Sequence, residues 1–319
     1  MKHIRWIAVL LAVCFLAALT AGCSSKAVMK VDGKNVPAGF YVYNYCKAYS
    51  SASGTGSADD VANNAAQGVL RYYLVEKLCK QYGIELAALE RKAVLDSISE
   101  QMKVSQGSST YKTFLQKMQL TKGQYQDLMY NAAKENKLID YLYNAETGVE
   151  KPSYEELYQL FVDNYCSACH VLISTQSAKE QKDYDTALAK AQEVLAKARA
   201  GEDFWELIRE YGDDPGMASG EDYIFPEGQM VKAFEDAAFA LQPGEISDIV
   251  QSSYGYHIIR RSEITHEVFD QYYDQFYESA KSYFFHQKLT KEAETMDAQV
   301  LEGMASLNLN DALAFTMGY

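Results

Sequence analysis

The chain is 319 residues long, 48% hydrophobic and 23% charged, with a formal net charge of -13. That length and composition allow one to three globular domains with a sizeable core. The acidity argues against nucleic acid and against an anionic membrane surface as partners; basic or unfolded polypeptides fit better, although acidity also serves plain solubility.

Lys2 and Arg5 open the chain, and a short apolar run, 6–19, follows. The run is too short to span a bilayer comfortably and reads as a secretory leader. Leu19-Thr20-Ala21-Gly22-Cys23 resembles a bacterial lipobox, with Thr20 standing where leucine is preferred. The resemblance implies a lipoprotein signal peptide over 1–22 and lipidation of Cys23. The protein would then be anchored at the extracytoplasmic face of the cell membrane without a spanning helix. An ordinary cleaved signal with a stray cysteine is the alternative. Beyond the leader lie Cys46, Cys79, Cys166 and Cys169. Export permits their oxidation, but four scattered thiols make no framework, and their pairing stays open.

Residues 23–164 read as a helical lobe. Val28 to Val36 predicts a short strand and turn, with Asp32-Gly33 as the turn signal. Helices follow over Phe40 to Tyr49, from Asp59 and Asp60 to Gly83, over Leu86 to Val104 and over Tyr111 to Met118. Thr121-Lys122-Gly123-Gln124 is a capping-box pattern opening a helix to about Tyr143. Pro152-Ser153-Tyr154-Glu155-Glu156 starts one more. The lobe carries no histidine, no Gly-rich phosphate loop and no nucleophile elbow. Most of its Tyr, Leu and Met positions read as core, and a minority as the lining of a binding cleft.

The chemistry concentrates in 165–265. Cys169-His170-Val171-Leu172-Ile173 and Gly255-Tyr256-His257-Ile258-Ile259 are apolar strands at the two ends of this segment, each with one histidine. Alternation puts His170 with Leu172 on one face, and His257 with Ile259 on one face. If the strands are neighbours the imidazoles can meet; two unrelated core histidines are the alternative. Between the strands, Asp183 to Ala200, Phe204 to Tyr211 and Val231 to Ala240 read as helices. Gly212-Asp213-Asp214-Pro215-Gly216 reads as an acidic loop and Tyr223-Ile224-Phe225 as a short strand. Together these make a compact domain of about 100 residues. A rival pattern overlaps the first strand: Cys166-Ser167-Ala168-Cys169-His170 matches the C-x-x-C-H of c-type haem attachment, or a redox or metal-binding thiol pair.

Gly201-Glu202-Asp203-Phe204, Tyr211 to Gly216, Gly228-Gln229-Met230, Phe234 to Leu241 and Pro243-Gly244-Glu245-Ile246-Ser247 follow in order between the two strands. Together they resemble a parvulin, a peptidyl-prolyl cis-trans isomerase. The resemblance implies a four-stranded antiparallel sheet with surrounding helices and the two end strands as central neighbours. It also implies a catalytic set of His170, Asp214, His257 and Ser252. Met230 and Phe234 would form the pocket for the proline ring, with Leu172 beside it, and neither cofactor nor metal is called for. The family's Gly-Gly-Asp-Leu-Gly is here Ser219-Gly220-Glu221-Asp222-Tyr223, with two glycines fewer. The run from Asp214 to Gly220 is short for the family, and Val231 stands where some parvulins have glutamine. These departures bear on peptide affinity and sequence preference. Haem attachment loses its histidine to the module-wide match.

His266 to about Leu301 reads as one long helix. Its stripe of Val268, Phe269, Tyr272, Tyr273, Phe276, Ala280, Tyr283 and Phe284 needs a partner surface, which the N-terminal lobe would supply. The parvulin module would then be an insertion in a helical chaperone lobe completed by 266–319, with Ser306 to Tyr319 a loose tail. The whole chain resembles the PrsA-like foldase lipoproteins in this layout. An α+β protein is expected: a foldase acting on unfolded or partly folded exported proteins that contain X-Pro bonds. A holdase chaperone with a silent isomerase module is the alternative, and dimerisation is left open.

Overall fold

The computed structural model describes residues 27–52, 57–104, 108–301, 307 and 309. The leader, Cys23 and nearly all of the 302–319 tail lie outside the described residues. In chain order the elements are β1 (Met29–Val31), β2 (Lys34–Asn35), α1 (Ala38–Ser51), α2 (Ala58–Tyr82), α3 (Ala88–Val104), α4 (Ser108–Lys117), α5 (Lys122–Tyr143), α6 (Tyr154–Asn164), β3 (Tyr165–Ser174), α7 (Gln181–Arg199), α8 (Phe204–Tyr211), a 3-10 turn (Pro215–Ser219), β4 (Tyr223–Pro226), α9 (Lys232–Ala240), β5 (Val250–Gln251), β6 (Gly255–Ser262), α10 (His266–Ala293) and β7 (Ala298–Val300). They divide between two compact units, one formed by Pro152–Ala280 and the other by residues before and after it.

In the second unit α1 packs on α2, and α2 on α5. The sequence marks the helix ends well. Ser57 accepts the Asp60 N–H at the start of α2, and Gly83 closes it with φ 67°. Thr121 and Gln124 form the expected capping box on α5. Tyr41, Leu78, Leu138 and Leu142 are fully buried between these helices. The Asp32-Gly33 turn has φ 47° and 74°. Positive φ at both turn residues matches the right-handed twist of the flanking strands, which closes β1 onto β2.

The long C-terminal helix is shorter than expected. It stops at Ala293, and Ala298–Val300 becomes β7, in the order β2-β1-β7. The free edge of β1 accounts for this. It takes the backbone groups of Ala298–Val300 in an antiparallel ladder, so they are satisfied without another helical turn. Asp32 reinforces the change of direction by accepting the Asp297 N–H at 3.0 Å.

The unit Pro152–Ala280 is built on an antiparallel sheet of order β4-β3-β6-β5. β3 is buried from Cys166 to Ile173 without a break, which is why, His170 apart, its sequence is apolar or small rather than alternating. One face carries Cys169, Val171, Ile173, Tyr256 and Ile258 against α7 and α8. The other carries Cys166, Ala168 and Ile259 against Phe234 and Ala238 of α9.

This unit reaches beyond the expected 165–265 at both ends, because α6 and the start of α10 pack on each other. Phe269 lies 5.3 Å from Tyr154 and 5.2 Å from Phe161 between ring centroids. Phe276 lies 5.0 Å from Phe161, edge to face. The first half of the aromatic stripe is therefore covered by α6, the last helix of the 23–164 segment expected to supply its partner surface, which here belongs to the same unit as the stripe. Further along α10, Phe285 and Leu289 enter the core of the other unit.

Phe161 is fully buried at the centre of that aromatic cluster. Phe161→Ala should destabilise the unit by about 3–5 kcal/mol, the usual cost of emptying a buried phenylalanine site. The tryptophans are Trp6, which lies outside the described residues, and Trp205, in α8. Urea unfolding of a leaderless chain followed by Trp205 fluorescence therefore reports this unit selectively. An unchanged midpoint would show that α6 is dispensable to it.

Candidate active site

The register of β3 on β6 sets the site. His170 pairs with Ile259, and Leu172 with His257. Partners in an antiparallel ladder point to the same side, so both histidines and Leu172 share the face covered by α9. The imidazoles sit diagonally, with centroids 5.1 Å apart and Nδ1 atoms 3.0 Å apart. They are 4% and 3% exposed.

Each end of the pair has one further partner. His170 Nε2 lies 2.7 Å from Asp214 Oδ2, and His257 Nε2 lies 2.7 Å from Ser252 Oγ. Burial holds the pKa of His170 below its ordinary value despite the opposing pull of Asp214. Burial and the neighbouring His170 bring His257 down to about 4. Both rings are therefore neutral near pH 7, and their protons can be assigned. Partial burial works against the Asp214 carboxylate, but hydrogen bonds from Gly216, His170 and Tyr223 outweigh it and hold its pKa below the usual range. An anionic Asp214 can only accept, so His170 Nε2–H donates to it. His170 Nδ1 is then the acceptor for His257 Nδ1–H, and His257 Nε2 accepts the Ser252 hydroxyl. The result is one chain of donors running from Ser252 to Asp214. The Tyr254 N–H donates to Ser252 Oγ at 3.1 Å and closes its outer end.

Asp214 is positioned by its loop. It caps the 3-10 turn Pro215–Ser219, and its Oδ1 accepts the Gly216 N–H at 2.9 Å. Asp213 pins the same loop to the end of β3. Its N–H donates to the Leu172 carbonyl at 2.8 Å, and its carboxylate accepts the Ser174 N–H at 2.8 Å. Gly220 ends the turn with φ 77°, so it is the residue of the altered loop whose backbone needs glycine.

The apolar part comes from α9 and the segment before it. Phe234 is 3% exposed and stands edge-on to both imidazoles, at 5.0 Å and 71° from His170 and 5.6 Å and 63° from His257. Met230, half-buried, packs in the same cluster. Glu235 fixes this corner by accepting the N–H groups of Gly228 and Met230. Leu172 is 8% exposed beside the pair. His170, Asp214, His257, Ser252, Met230, Phe234 and Leu172 thus lie around one sheet face, whereas Cys23 lies outside the described residues.

The C-x-x-C-H pattern does not form a ligand set. Cys166 and Cys169 are an odd number of residues apart on one strand, so they point to opposite faces. Both are fully buried, and burial pushes their thiols up to about 11 and about 12. Both nitrogens of His170 are already engaged. Sequence reasoning missed Tyr223, whose hydroxyl donates to Asp214 Oδ2 at 3.0 Å. It reads as a lost glycine, and only the pairing of β4 with β3 brings its phenol to the site.

Residues 158–265 match the family described as the PPIC-type PPIASE domain. The foldase protein PrsA of Geobacillus kaustophilus is 46% identical over 105 residues, which cover 31% of this chain and 33% of that protein. The foldase protein PrsA of Staphylococcus aureus is 28% identical over 214 residues, covering 65% of this chain and 61% of that one. The solution structure of NmPin, the parvuline of Nitrosopumilus maritimus, is similar over 31% of this chain and 97% of its own, with 38% identity and a TM-score of 0.25. The chain thus spans about a third of the length of the Geobacillus relative. Since the matched stretch is the one whose two histidine strands meet at the centre of the sheet, this chain carries, at residues 158–265, a parvulin domain of the PPIC-type peptidyl-prolyl isomerase family.

Proposed function

We propose that this chain is a foldase, lipid-anchored through Cys23 at the extracytoplasmic face of the cell membrane. Its parvulin domain would isomerise X-Pro bonds in exported proteins, and its helical unit would hold the unfolded client. The observation that carries this reading is the hydrogen-bonded chain Ser252–His257–His170–Asp214 set against Phe234 and Met230.

The chemistry required is modest in kind and large in barrier. An X-Pro amide rotates over roughly 20 kcal/mol, and no covalent bond need form. The site must favour the twisted amide over both planar forms. Twisting removes amide resonance and lowers the charge on the carbonyl oxygen, so the twisted form loses less on leaving water than either planar form does. An apolar wall of Met230, Phe234 and Leu172 that grips the proline ring discriminates in that direction. The buried pair beneath it carries no net charge and its protons are fixed, so the floor of the site stays dry and keeps one geometry. Asp214, 21% exposed, and Ser252 flank the pair where the preceding carbonyl would turn, and set the local field there.

Asp214→Ala and a Met230→Ala/Phe234→Ala variant should each lower kcat/KM on short X-Pro peptides by roughly 10- to 100-fold, the scale of removing a preorganised contributor. NMR exchange spectroscopy measures this directly. No acceleration by the folded wild-type protein, with suppression of client aggregation retained, would overturn the isomerase reading in favour of a holdase.

Protonation of the pair should also limit acid stability. His257 titrates at about 4 in the fold against an ordinary 6.5. Between those values the unfolded chain holds the extra proton, so stability is complete above about pH 6.5 and falls as pH falls towards 4, by about 3 kcal/mol from this group. His170 is depressed in the same direction, and Asp214 adds its loss at lower pH still. Trp205-monitored urea unfolding across pH 4 to 7 should show this slope, and His257→Asn should flatten it.

The anchor is tested separately. Cys23→Ala should abolish incorporation of a labelled fatty acid and move the protein from the membrane fraction. Unchanged labelling would reject Cys23 as the site.

A further inference from the structure

We propose that Tyr223 is a positioning residue of the isomerase site: its hydroxyl holds the Asp214 carboxylate in place and, through it, the proton arrangement of the histidine pair. The catalytic part of this inference rests on the isomerase reading above. Asp214 Oδ2 accepts two hydrogen bonds, from His170 Nε2–H at 2.7 Å and from the Tyr223 hydroxyl at 3.0 Å, and Oδ1 accepts the Gly216 N–H at 2.9 Å. All three partners donate, so the carboxylate is kept unprotonated and unable to rotate. Without the phenol, Oδ2 would depend on His170 alone. The proton between them could then pass to the carboxylate at less cost, and the donor chain would lose its fixed direction.

The phenol is seated for this task. Tyr223 pairs with Ala168 at the start of β4, and its ring packs against the clusters on both faces of the sheet. Its hydroxyl lies directly on Gly216, where a Cβ would stand 1.8 Å from it; the loop leaves this space for the tyrosine. Burial, with Asp214 next, pushes the phenol up to about 12, so it retains the proton it donates. The titratable groups facing Asp214 are His170 from β3, Tyr223 from β4 and, one ring beyond, His257 from β6. Tyr223 also stands where the parvulin pattern has glycine, so the contact is this chain's own addition to the resemblance.

Tyr223→Phe in the full chain keeps the ring and removes the hydroxyl. NMR of carboxyl-labelled aspartate should show Asp214 titrating higher by about one pH unit, the size expected for one lost hydrogen bond to a carboxylate. The acid limb of kcat/KM should move up with it, kcat should fall several-fold with little change in KM, and the thermal midpoint should hold. In an Asp214→Ala background the same substitution should add nothing. An unmoved Asp214 titration overturns the proposal, and so does an equal loss of activity in the Asp214→Ala background. If the wild-type protein proves inactive, the isomerase reading fails separately. The titration alone then decides whether Tyr223 holds Asp214.

Discussion

Two imidazole nitrogens 3.0 Å apart in a buried site have room for one proton between them. That constraint organises the domain. One ring must donate and the other accept, and the choice propagates outward, because each ring's second nitrogen then has a fixed role. The anionic end at Asp214 selects the direction, and the hydroxyl end at Ser252, which can donate or accept, conforms to it. A second proton would set two N–H groups against each other and leave a charge buried with little water to solvate it. The pair is therefore a polar object that behaves electrically like part of the core.

A polar pair can be buried only if the surrounding structure satisfies all of its atoms at once. β3 and β6 supply the rings, the loop before the 3-10 turn supplies Asp214, and the link between β5 and β6 supplies Ser252. These segments are distant in sequence, so the site exists only in the assembled sheet. The anchoring contacts follow the same logic. Asp213 ties its loop to β3, and Glu235 ties the segment carrying Met230 to α9. The first fixes the loop that carries Asp214 to His170, and the second fixes the segment that brings Met230 into the cluster around Phe234.

Much of this was legible in the sequence, and the reasons are local. His170 and His257 stood in apolar runs too regular to be loops, and strand alternation put Leu172 and Ile259 on their faces. The capping box at Thr121 formed as read, and the helix start at Ser153 is closed by a box of the same kind, because a capping box is closed by residues three apart. The failures were non-local. The run after Ala293 has helix-compatible residues, and only the free edge of β1 makes it a strand. The stripe on α10 called for a partner within 23–164 without naming which helix of it, and α6 took the first half. Tyr223 was unreadable for the same reason: its effect depends on which strand β4 joins and on the space above Gly216.

The loop from Asp214 to Tyr223 is held by contacts to the Asp214 carboxylate, from the Gly216 N–H and the Tyr223 hydroxyl. Glycines in such a loop allow conformational freedom that must be given up when the site forms. Here Gly220 alone requires a positive φ, and Ser219 and Tyr223 adopt ordinary turn and strand geometry. The lost freedom is replaced by a phenol that contacts the carboxylate directly. For a reaction that moves protons this locking would be a handicap, since general acid–base catalysis needs a proton free to transfer. Rotation about an amide moves none. A network whose protons are fixed from Ser252 to Asp214 would suit the proposed isomerisation, because it need not reorganise while a bond turns above it.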